Sequence, residues 1–254
     1  MGGRALSFGA VAAAYERFRP GYPDRLVDEI EAYAARPVRT ALEIGAGTGK
    51  ATRVLSARGV AVTATDPDAA MLAELRRHVP GTVTTVHASF EELPLNRTHD
   101  LVLAAAALHW TRPPGRWPRV AALLAPGGVL ASCGGPVELA DPDVDAAVRA
   151  ARGTLLPDDG IVAPDGTPPD SALQWPGTEL VASPLFTDVR QLRIERRLTL
   201  SADDYVGHLT TISAYRQLPA ADLATVLERI RAVLPAEVTL DADLVLHLAR
   251  SART

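Results

Sequence analysis

The sequence predicts an α/β fold in which helices cover both faces of a doubly wound, mostly parallel sheet. Three observations support this prediction: apolar, β-branched segments alternate with helical ones, a glycine turn joins the first strand to a helix, and an aspartate ends the next strand. Alternation favours a parallel sheet, because each crossover helix packs against one of its faces. A ligand is then expected at the carboxyl ends of the strands.

Seven strands account for the apolar segments that follow a first helix over Pro23 to Ala35. In this helix the apolar residues are spaced to form one buried face. A later helix carries Leu223, Leu227 and Ile230 at the same spacing, which indicates packing. The strands are expected near residues 40–45, 60–65, 83–87, 100–106, 128–133, 189–200 and 244–249.

The chain has 254 residues, enough for one α/β domain with an appended cap, so we predict a single domain over residues 1–254. Residues 136–184 are rich in proline, aspartate and glycine, which is typical of a lid or a loop. We interpret this segment, together with residues 1–22 and 201–235, as a substrate cap. An unstructured surface loop is the alternative for residues 136–184.

The glycine turn at residues 45–49 indicates which nucleotide the fold would bind. A dinucleotide fingerprint has the pattern G-x-G-x-x-G, but here glycine comes one residue early at Gly49, and Lys50 stands where the third glycine belongs. Glu43 lies just before the turn, where a carboxylate would repel a diphosphate. A ligand that carries a sulfonium and an ammonium group, such as S-adenosylmethionine, fits this charge pattern better.

A second acid supports the same ligand. Asp66 follows the predicted strand at 60–65, about twenty residues after the first glycine, the separation expected for a carboxylate that binds ribose hydroxyls. Pro67 suits the first position of the next helix. Met71 lies on that helix, where it would contact the adenine or the ribose.

Composition and charge disfavour several other classes of protein. The formal net charge is −4 and no long basic run is present, so nucleic-acid binding is not expected. We interpret Arg193, Arg196 and Arg197 as a solvated strand face, although an RNA-modifying enzyme could use such a patch. Cys133 is the only cysteine, so it cannot form an internal disulfide, and we interpret it as an inert core thiol.

No secretion signal, membrane segment or metal site is expected. The chain soon reaches Glu16 and Arg17, so no signal-peptide core develops, and no apolar run reaches the ~18 residues that would suggest a spanning helix. Histidine, cysteine and carboxylate residues do not cluster at ligand spacing. We expect a cytoplasmic protein with no membrane partner. A homodimer is compatible with the sequence, which leaves the oligomeric state open.

Short motifs in order along most of the chain resemble one family. They are Tyr15 with FRPGYP at 18–23, the turn from Leu42 to Gly49, Asp66, ASFE at 88–91, LHW at 108–110, LAPGG at 124–128 and LTTISAYRQLP at 209–219. Together they resemble the class I S-adenosylmethionine-dependent methyltransferases, in the small-molecule branch that is similar to trans-aconitate methyltransferase.

The resemblance implies a Rossmann-like sheet whose last strand is antiparallel, with S-adenosylmethionine bound at the glycine turn. Glu43 would hold the ammonium region and Asp66 the ribose. Arg19 would bind the cofactor carboxylate, because a guanidinium can engage two carboxylate oxygens at once. The other residues implied to bind the cofactor are Tyr15, Gly45, Ala46, Gly47, Gly49, Pro67, Met71, Ser89, Phe90, Glu91 and Ala105.

Two positions depart from the family pattern. Many relatives have aspartate where Ser89 stands, so the adenine would meet a hydroxyl and backbone groups. Close relatives often have glutamine where Ala106 stands, so the pocket wall after the fourth strand is apolar. These changes motivate the alternative that the protein binds the cofactor without transferring its methyl group.

The chemistry of methyl transfer requires little of the side chains. The sulfonium is already electrophilic, so the enzyme mainly aligns the acceptor and excludes water. If the acceptor must lose a proton, His109 is the candidate base, because it follows the fourth strand and imidazole titrates near neutrality. A structural histidine is the alternative. Tyr22, Trp110 and Trp175 are the other candidate substrate-binding residues, each with a packing role as its alternative.

We therefore predict an enzyme that moves a methyl group from S-adenosylmethionine to a small organic acceptor, with a carboxylate or a secondary metabolite as candidate classes. The Asn/Asp-Pro-Pro-aromatic sequence of methyltransferases that act on amino groups of DNA bases or glutamine is missing after the fourth strand, where Ala104 to Ala107 stands. A nicotinamide-dependent oxidoreductase is a further alternative, which the spacing of the glycines disfavours.

Overall fold

The computed structural model describes residues 12–156, 163–168 and 170–253. Residues 1–11 and 157–162, which belong to the predicted cap, lie outside this range, as do two single residues. The described strands are β1 (Thr40–Ile44), β2 (Ala61–Asp66), β3 (Thr84–His87), β4 (His99–Ala105), β5 (Leu124–Gly134), β6 (Glu138–Leu139), β7 (Phe186–Ile194), β8 (Arg197–Ser201), β9 (Glu237–Asp241) and β10 (Leu244–Ser251).

The described helices alternate with the strands in the first half of the chain. In the described residues, no helix is long and apolar enough to cross a membrane. The α-helices are α1 (Ala12–Phe18), α2 (Arg25–Ala34), α3 (Lys50–Ala57), α4 (Ala69–His78), α5 (Arg116–Leu123), α6 (Pro142–Arg152), α7 (Gly177–Ala182), α8 (Ala202–Leu209), α9 (Ser213–Arg216) and α10 (Ala220–Val233).

The main sheet has seven strands in the order β3-β2-β1-β4-β5-β10-β7. β1 pairs in parallel with β2 and β4, and β10 is antiparallel to both β5 and β7. The predicted seven-stranded, mostly parallel sheet with an antiparallel last strand is therefore confirmed. The strand order reverses at β1 and β4, so a crevice is expected at their carboxyl ends.

Both faces of the central strand β1 are buried. Ala41 packs in the core that includes α2 and α3, whereas Leu42 and Ile44 pack in the core that includes α5. Because successive residues of a strand point to opposite faces, a strand covered on both sides is nearly continuously apolar. Glu43 is the exception in β1: it is only 1% exposed, which indicates that its carboxyl group has a specific role.

The turn after β1 depends on glycine. Gly45, Gly47 and Gly49 have φ values of 64°, 55° and 84°, a left-handed conformation that other residues rarely adopt. A Cβ atom at Gly49 would lie 2.7 Å from the Leu75 Cγ atom, so this glycine lets α3 begin close to α4. A Cβ atom at Gly47 would meet nothing within 4 Å, so its bare backbone faces open space.

A second sheet, with the order β6-β9-β8, belongs to a smaller unit with its own core. This unit, which we call the cap, consists of residues 138–152 and 197–241. The core of the cap joins α6, α8 and α10 through Val148, Tyr205 and Ile230, together with Leu240 of β9. The sequence predicts the long helix α10 but neither this sheet nor strand β9. The helix α1 packs against α8 of the cap and α4 of the main domain.

The strand predicted over residues 189–200 is two strands in different sheets, so that prediction was wrong. β7 ends at Ile194 and pairs with β10, whereas β8 begins at Arg197 and pairs with β9. The chain passes from the main sheet to the second sheet at Arg196, and it returns to the main sheet at Ala242, between β9 and β10. The two crossings are adjacent, because the Ala242 N–H donates to the Arg196 carbonyl at 2.8 Å. An alternating pattern is the same in either sheet, so it does not reveal which sheet a strand joins.

Residues 136–184 divide between the two parts of the molecule. β6 and α6 belong to the cap, whereas α7 packs against β7 of the main sheet. The Gln174 N–H donates to the Gln191 Oε1 atom at 2.7 Å, which fastens the segment before α7 to β7. The role of residues 1–22, 136–184 and 201–235 as a substrate cap stays a prediction.

We predict that Gly49→Ala destabilises the fold more than Gly59→Ala. Both glycines have positive φ, so both substitutions incur a left-handed strain of about 1–2 kcal/mol. A Cβ atom at Gly59 meets nothing within 4 Å, whereas at Gly49 it crowds Leu75, which adds an overpacking cost of about 1–3 kcal/mol. Urea unfolding of the two variants measures the difference, and equal losses of unfolding free energy would contradict the packing argument.

Candidate active site

A crevice lies at the carboxyl ends of β1 and β4, beside α1 and the segment that follows it. Four separate parts of the chain contribute to its walls: the N-terminal segment, the glycine turn, the ends of β4 and β5, and the crossings between the two sheets. The lining residues are Tyr15, Arg19, Pro20, Gly21, Tyr22, Glu43, Gly45, Ala46, Gly47, Thr48, Lys50, Ala51, Ala105, Ala106, Gly134, Gly135, Val137, Arg196 and Leu244.

Eight residues that the sequence suggests for the site line this crevice. They come from three distant segments, which the fold brings together at one edge of the sheet. The eight residues are Tyr15, Arg19, Tyr22, Glu43, Gly45, Ala46, Gly47 and Ala105.

Asp66 ends β2, next to the glycine turn; it is only 7% exposed and does not itself line the crevice, so its contact with the ribose stays a prediction. Its Oδ2 atom accepts a hydrogen bond from the Gly47 N–H at 2.9 Å, and its Oδ1 atom accepts one from the Asp68 N–H at 2.8 Å. Burial raises the pKa of Asp66. A carboxylate has about four acceptor positions, so about two remain for hydroxyl donors such as those of a ribose.

Three backbone amides of the glycine turn donate hydrogen bonds within the protein. The Ala46 N–H donates to the Thr65 carbonyl at 2.8 Å, the Gly49 N–H donates to the Ala46 carbonyl at 2.9 Å, and the Gly47 N–H donates to Asp66. A diphosphate site needs such amides free to donate to the ligand. The geometry therefore disfavours a dinucleotide, in agreement with the spacing of the glycines.

Glu43 places a buried carboxyl group in the crevice wall. The Thr52 hydroxyl donates to its Oε2 atom at 2.6 Å. Burial, together with the charge of Asp66, raises the pKa of Glu43 to about 8. The hydrogen bond from Thr52 acts in the opposite direction. A cationic ligand would favour the ionised form, so this position fits a sulfonium or ammonium group.

Arg19 brings a buried guanidinium group to the same crevice. Its Nη2 atom donates to the Thr211 carbonyl of the cap at 3.0 Å, and the group lies 5.5 Å from the centre of the Tyr15 ring. The Nε atom is buried, and no hydrogen-bond partner for it exists in the part of the chain that the structure describes. Burial lowers the pKa of Arg19. An unpaired donor of this kind fits the carboxylate of S-adenosylmethionine.

Glu16 fastens α1 to the helix that follows the glycine turn. Its Oε1 atom pairs with the Arg53 Nη1 atom at 2.8 Å, and the Lys50 Nζ atom donates to its backbone carbonyl at 2.7 Å. These contacts keep Tyr15 and Arg19 over the crevice. The sequence interpretation missed this use of Lys50, because the contact joins residues 34 positions apart.

The residues predicted to surround the adenine do not line the crevice. Met71 and Phe90 are 4% and 5% exposed. The Ser89 hydroxyl donates to the Glu92 Oε2 atom at 2.8 Å, and the Glu91 Oε1 atom accepts a hydrogen bond from the Arg112 N–H. The predicted cofactor contacts of these residues, and of Gly49 and Pro67, stay predictions.

His109 and Trp110 lie on a short 3₁₀ turn after β4 and do not line the crevice. Their ring centres are 4.7 Å apart. Burial, with the nearby charge of Arg116, lowers the pKa of His109 to about 4. Its imidazole is therefore unprotonated at neutral pH, which is the form that a general base requires.

Trp175 belongs to the core under the main sheet and does not line the crevice. The Arg116 guanidinium lies 5.2 Å from the centre of its ring, and the side chain packs among the residues that cover β7. Because the neighbouring Gln174 is hydrogen-bonded to β7, the segment lies along the main sheet. This position gives no support to the predicted substrate contact, which stays a prediction.

Arg196 is the main crevice residue that the sequence interpretation missed. The side chains of Arg193 and Arg197 are 71% and 75% exposed and pair with Asp243 and Asp241, as expected of a solvated face. Arg196 instead lines the crevice, so its assignment to that face was wrong. Arg196 lines the crevice because it stands where the chain crosses from one sheet to the other. No local sequence pattern indicates that crossing.

Ala106 gives the wall after β4 an unusual backbone. Its φ of 53° is left-handed, which is uncommon for a residue other than glycine, and its N–H donates to the Cys133 carbonyl at 2.7 Å. Burial raises the pKa of the Cys133 thiol to about 12, so the thiol is protonated and unreactive at neutral pH. In the described residues, no group of three or more histidine, cysteine or carboxylate side chains could hold a metal ion.

Comparison with known proteins identifies the family of the central segment. Residues 42–132 match the family profile described as "Methyltransferase domain". This central segment is therefore similar to methyltransferase domains. The matched range includes Asp66 and three parts of the crevice, which are Glu43, the glycine turn and the end of β4.

Individual relatives agree with this assignment. The chain is 46% identical over 127 residues to an uncharacterized methyltransferase of Mycobacterium tuberculosis, covering 50% of this chain and 51% of that protein. It is 35% identical over 144 residues to trans-aconitate 2-methyltransferase of Delftia acidovorans, covering 55% of this chain and 50% of that enzyme. The chain thus matches the curated relatives over about half of their length.

A solved structure extends the similarity to nearly the whole chain. A protein from Anaeromyxobacter dehalogenans, described as a type II methyltransferase, superposes with a TM-score of 0.60 at 29% identity, covering 93% of this chain and 98% of that one. The resemblance to class I S-adenosylmethionine-dependent methyltransferases is thereby confirmed, and S-adenosylmethionine is the cofactor of this methyltransferase class.

We predict that Glu43→Gln flattens the pH dependence of stability. Glu43 keeps its proton up to about pH 8 when folded but loses it above its ordinary pKa of 4.5 when unfolded. Stability from this group is therefore complete below pH 4.5 and declines as the pH rises to 8, by about 1.4 kcal/mol per pH unit. Urea unfolding of the cofactor-free protein between pH 5 and 8 measures this slope.

The exposed Glu138→Gln substitution is the matched control and should keep the wild-type slope. Glutamine at position 43 retains an acceptor for Thr52, so the variant is expected to fold. An unchanged slope in Glu43→Gln would show that this carboxyl group titrates normally.

Proposed function

We propose that this protein transfers a methyl group from S-adenosylmethionine to a small-molecule acceptor. The observation that carries the proposal is a crevice lined by Glu43 and Arg19, with Asp66 hydrogen-bonded to the lining residue Gly47, so that three groups match three parts of the cofactor. Asp66 has acceptor positions for the ribose, Glu43 is a buried acid for the cationic region, and Arg19 has an unpaired donor for the carboxylate. The small-molecule acceptor and the cytoplasmic location belong to this proposal.

The part of the crevice beyond β4 is where the acceptor would bind. Asp66 lies on one side of β1, and the order of the sheet puts β4, β5 and β10 on the other. The lining on that side includes Gly134, Gly135 and Leu244, with Tyr22 from the N-terminal segment. A cofactor that extends from Asp66 across the glycine turn would present its methyl group toward this space.

The protein contributes mainly position and exclusion of water. The bound cofactor supplies an electrophilic methyl group, so the chain has to align the acceptor with it. The segment from Tyr15 to Tyr22 lies over the crevice and is held by Glu16, which would keep water from the reacting atoms. His109 is the proposed base for acceptors that must lose a proton. Because His109 does not line the crevice, the substrate would extend from the crevice to the turn after β4 to reach it.

Incubation with methyl-labelled S-adenosylmethionine and a small-molecule extract tests the proposed activity. Label is expected in at least one metabolite, and not in added RNA. Calorimetry with S-adenosylhomocysteine and with a nicotinamide dinucleotide runs beside it. Binding of S-adenosylhomocysteine without any labelled metabolite would favour the alternative of a cofactor-binding protein, and preferential binding of the dinucleotide would overturn the proposal.

We predict that Asp66→Ala weakens binding of S-adenosylmethionine by ~2 kcal/mol or more, about 30-fold, because a charged hydrogen-bond acceptor is lost. The substitution also frees the Gly47 N–H of the glycine turn. Isothermal titration calorimetry measures the effect. Asp28→Ala is the control, since Asp28 is an exposed acid that pairs with Arg58; equal affinities of the two variants would remove Asp66 from the cofactor site.

We predict that His109→Ala lowers turnover at pH 7 and leaves the affinity for S-adenosylhomocysteine within twofold of wild type. With the pKa of His109 near 4, wild-type turnover should fall as the pH drops through 4 and stay level above about pH 5. Initial rates on the metabolite labelled above give both results. A variant with wild-type turnover would exclude His109 as the base.

A further inference from the structure

Among the described residues that line the crevice are two guanidinium groups that form no salt bridge, one more than the cofactor can use. Among the described residues, no carboxylate oxygen lies within 4.0 Å of the guanidinium of Arg19 or of Arg196. Lys50 also lines the crevice, but it pairs with Glu16. S-adenosylmethionine has a single carboxylate, which Arg19 would bind, so Arg196 remains available to another anion.

Arg196 lies on the acceptor side of the crevice. It occupies the crossing between β7 and β8, and β7 is at the edge of the sheet beyond β5 and β10. Its crevice neighbours Gly135 and Leu244 come from the end of β5 and the start of β10. Asp66 is on β2, at the opposite side of β1, so β1, β4, β5 and β10 lie between the strand that ends at Asp66 and β7, which leads to Arg196.

Backbone contacts fix the orientation of the Arg196 side chain. Its Nε atom donates to the Ala242 carbonyl at 3.1 Å, and its Nη1 atom donates to the Gly21 carbonyl. Its own N–H donates to the Asp243 Oδ1 atom at 2.7 Å. A guanidinium has about five N–H donors, so about three remain after these two carbonyls. The side chain is held in place before any ligand arrives.

The contacts explain the position of Arg196 but not its charge. A neutral donor could bond to the same two carbonyls, whereas a partly buried cation without a counter-ion is energetically unfavourable. Burial lowers the pKa of Arg196, which is consistent with this cost, and the charge of nearby Asp243 offsets only part of the shift. Glu43 is the carboxyl group among the lining residues, and its pKa of about 8 keeps it largely neutral in the free protein. Asp243, which is outside the lining, forms its salt bridge with Arg193.

We propose that Arg196 determines acceptor specificity by binding a carboxylate group of the methyl acceptor. This inference rests on the proposed function. The remaining guanidinium donors match the two oxygens of a carboxylate, which gives orientation as well as affinity. An acceptor anchored in this way presents its reacting atom toward the methyl group beside the glycine turn.

Saturation-transfer NMR on the protein loaded with S-adenosylhomocysteine tests this assignment. The probes are two matched pairs, benzoate with benzamide and succinate with succinamide. At least one carboxylate should bind, and its amide should bind at least tenfold more weakly. Arg196→Gln should weaken carboxylate binding at least tenfold and leave the affinity for S-adenosylhomocysteine within twofold.

Two further variants separate recognition from stability. Arg197→Gln removes the same charge from the neighbouring exposed position and should bind the carboxylate like wild type. Arg196→Lys retains the charge but cannot form two parallel hydrogen bonds, so it should bind the carboxylate at least threefold more weakly. This variant decides the question if Arg196→Gln does not fold.

The outcomes distinguish this inference from the proposed function. Failure of the wild type to bind S-adenosylhomocysteine would overturn both. Cofactor binding without carboxylate binding, equal binding of acids and amides, or unchanged carboxylate binding in Arg196→Gln and Arg196→Lys would each overturn the role of Arg196 alone. Equal weakening in Arg197→Gln would attribute the effect to overall charge and would also overturn it.

Discussion

The hydrogen bond from the Gly47 N–H to the Asp66 carboxylate is the contact on which the site depends. It joins the turn after β1 to the end of β2, and the Ala46 N–H donates to Thr65 beside it. Parallel pairing brings the two strand ends to one edge of the sheet, and these bonds fix the turn against that edge. The turn then presents bare backbone and two nearby acids instead of free amides, which selects for a cationic ligand over a diphosphate.

The central part of the site could be predicted because its signals are local. Glycines with positive φ, an acid in a buried strand and an acid at the next strand end all stand within 24 residues, from Glu43 to Asp66. Alternation of strands and helices similarly indicated the doubly wound sheet. Each of these features follows from the conformational or burial preferences of single residues, so a sequence pattern is sufficient to find them.

Arg196, on the proposed acceptor side, was missed because that side is assembled from distant segments. Arg196 enters the crevice only because the chain changes sheets after β7, and its guanidinium contacts Gly21, 175 residues away. The alternating pattern through Arg193 and Arg197 is the same whether or not the strand is broken. Trp175 depends on distant contacts as well: the preceding Gln174 donates a hydrogen bond to β7, and the tryptophan packs against the core, while its predicted substrate contact stays a prediction.

Charge distribution connects the two sides of the crevice. Glu43 is buried with Asp66 nearby, so in the free protein it retains a proton, and a cation next to it would release that proton. Arg19 is anchored to Thr211 of the cap, whereas Arg196 is anchored at the crossing between cap and sheet. Both cations therefore depend on how the cap sits on the main domain, while both acids belong to the sheet itself. Both acids lie in the segment that matches the methyltransferase profile, and both arginines lie outside it. The proposed cofactor-binding acids and the proposed acceptor-binding arginine can therefore vary independently among proteins of this fold.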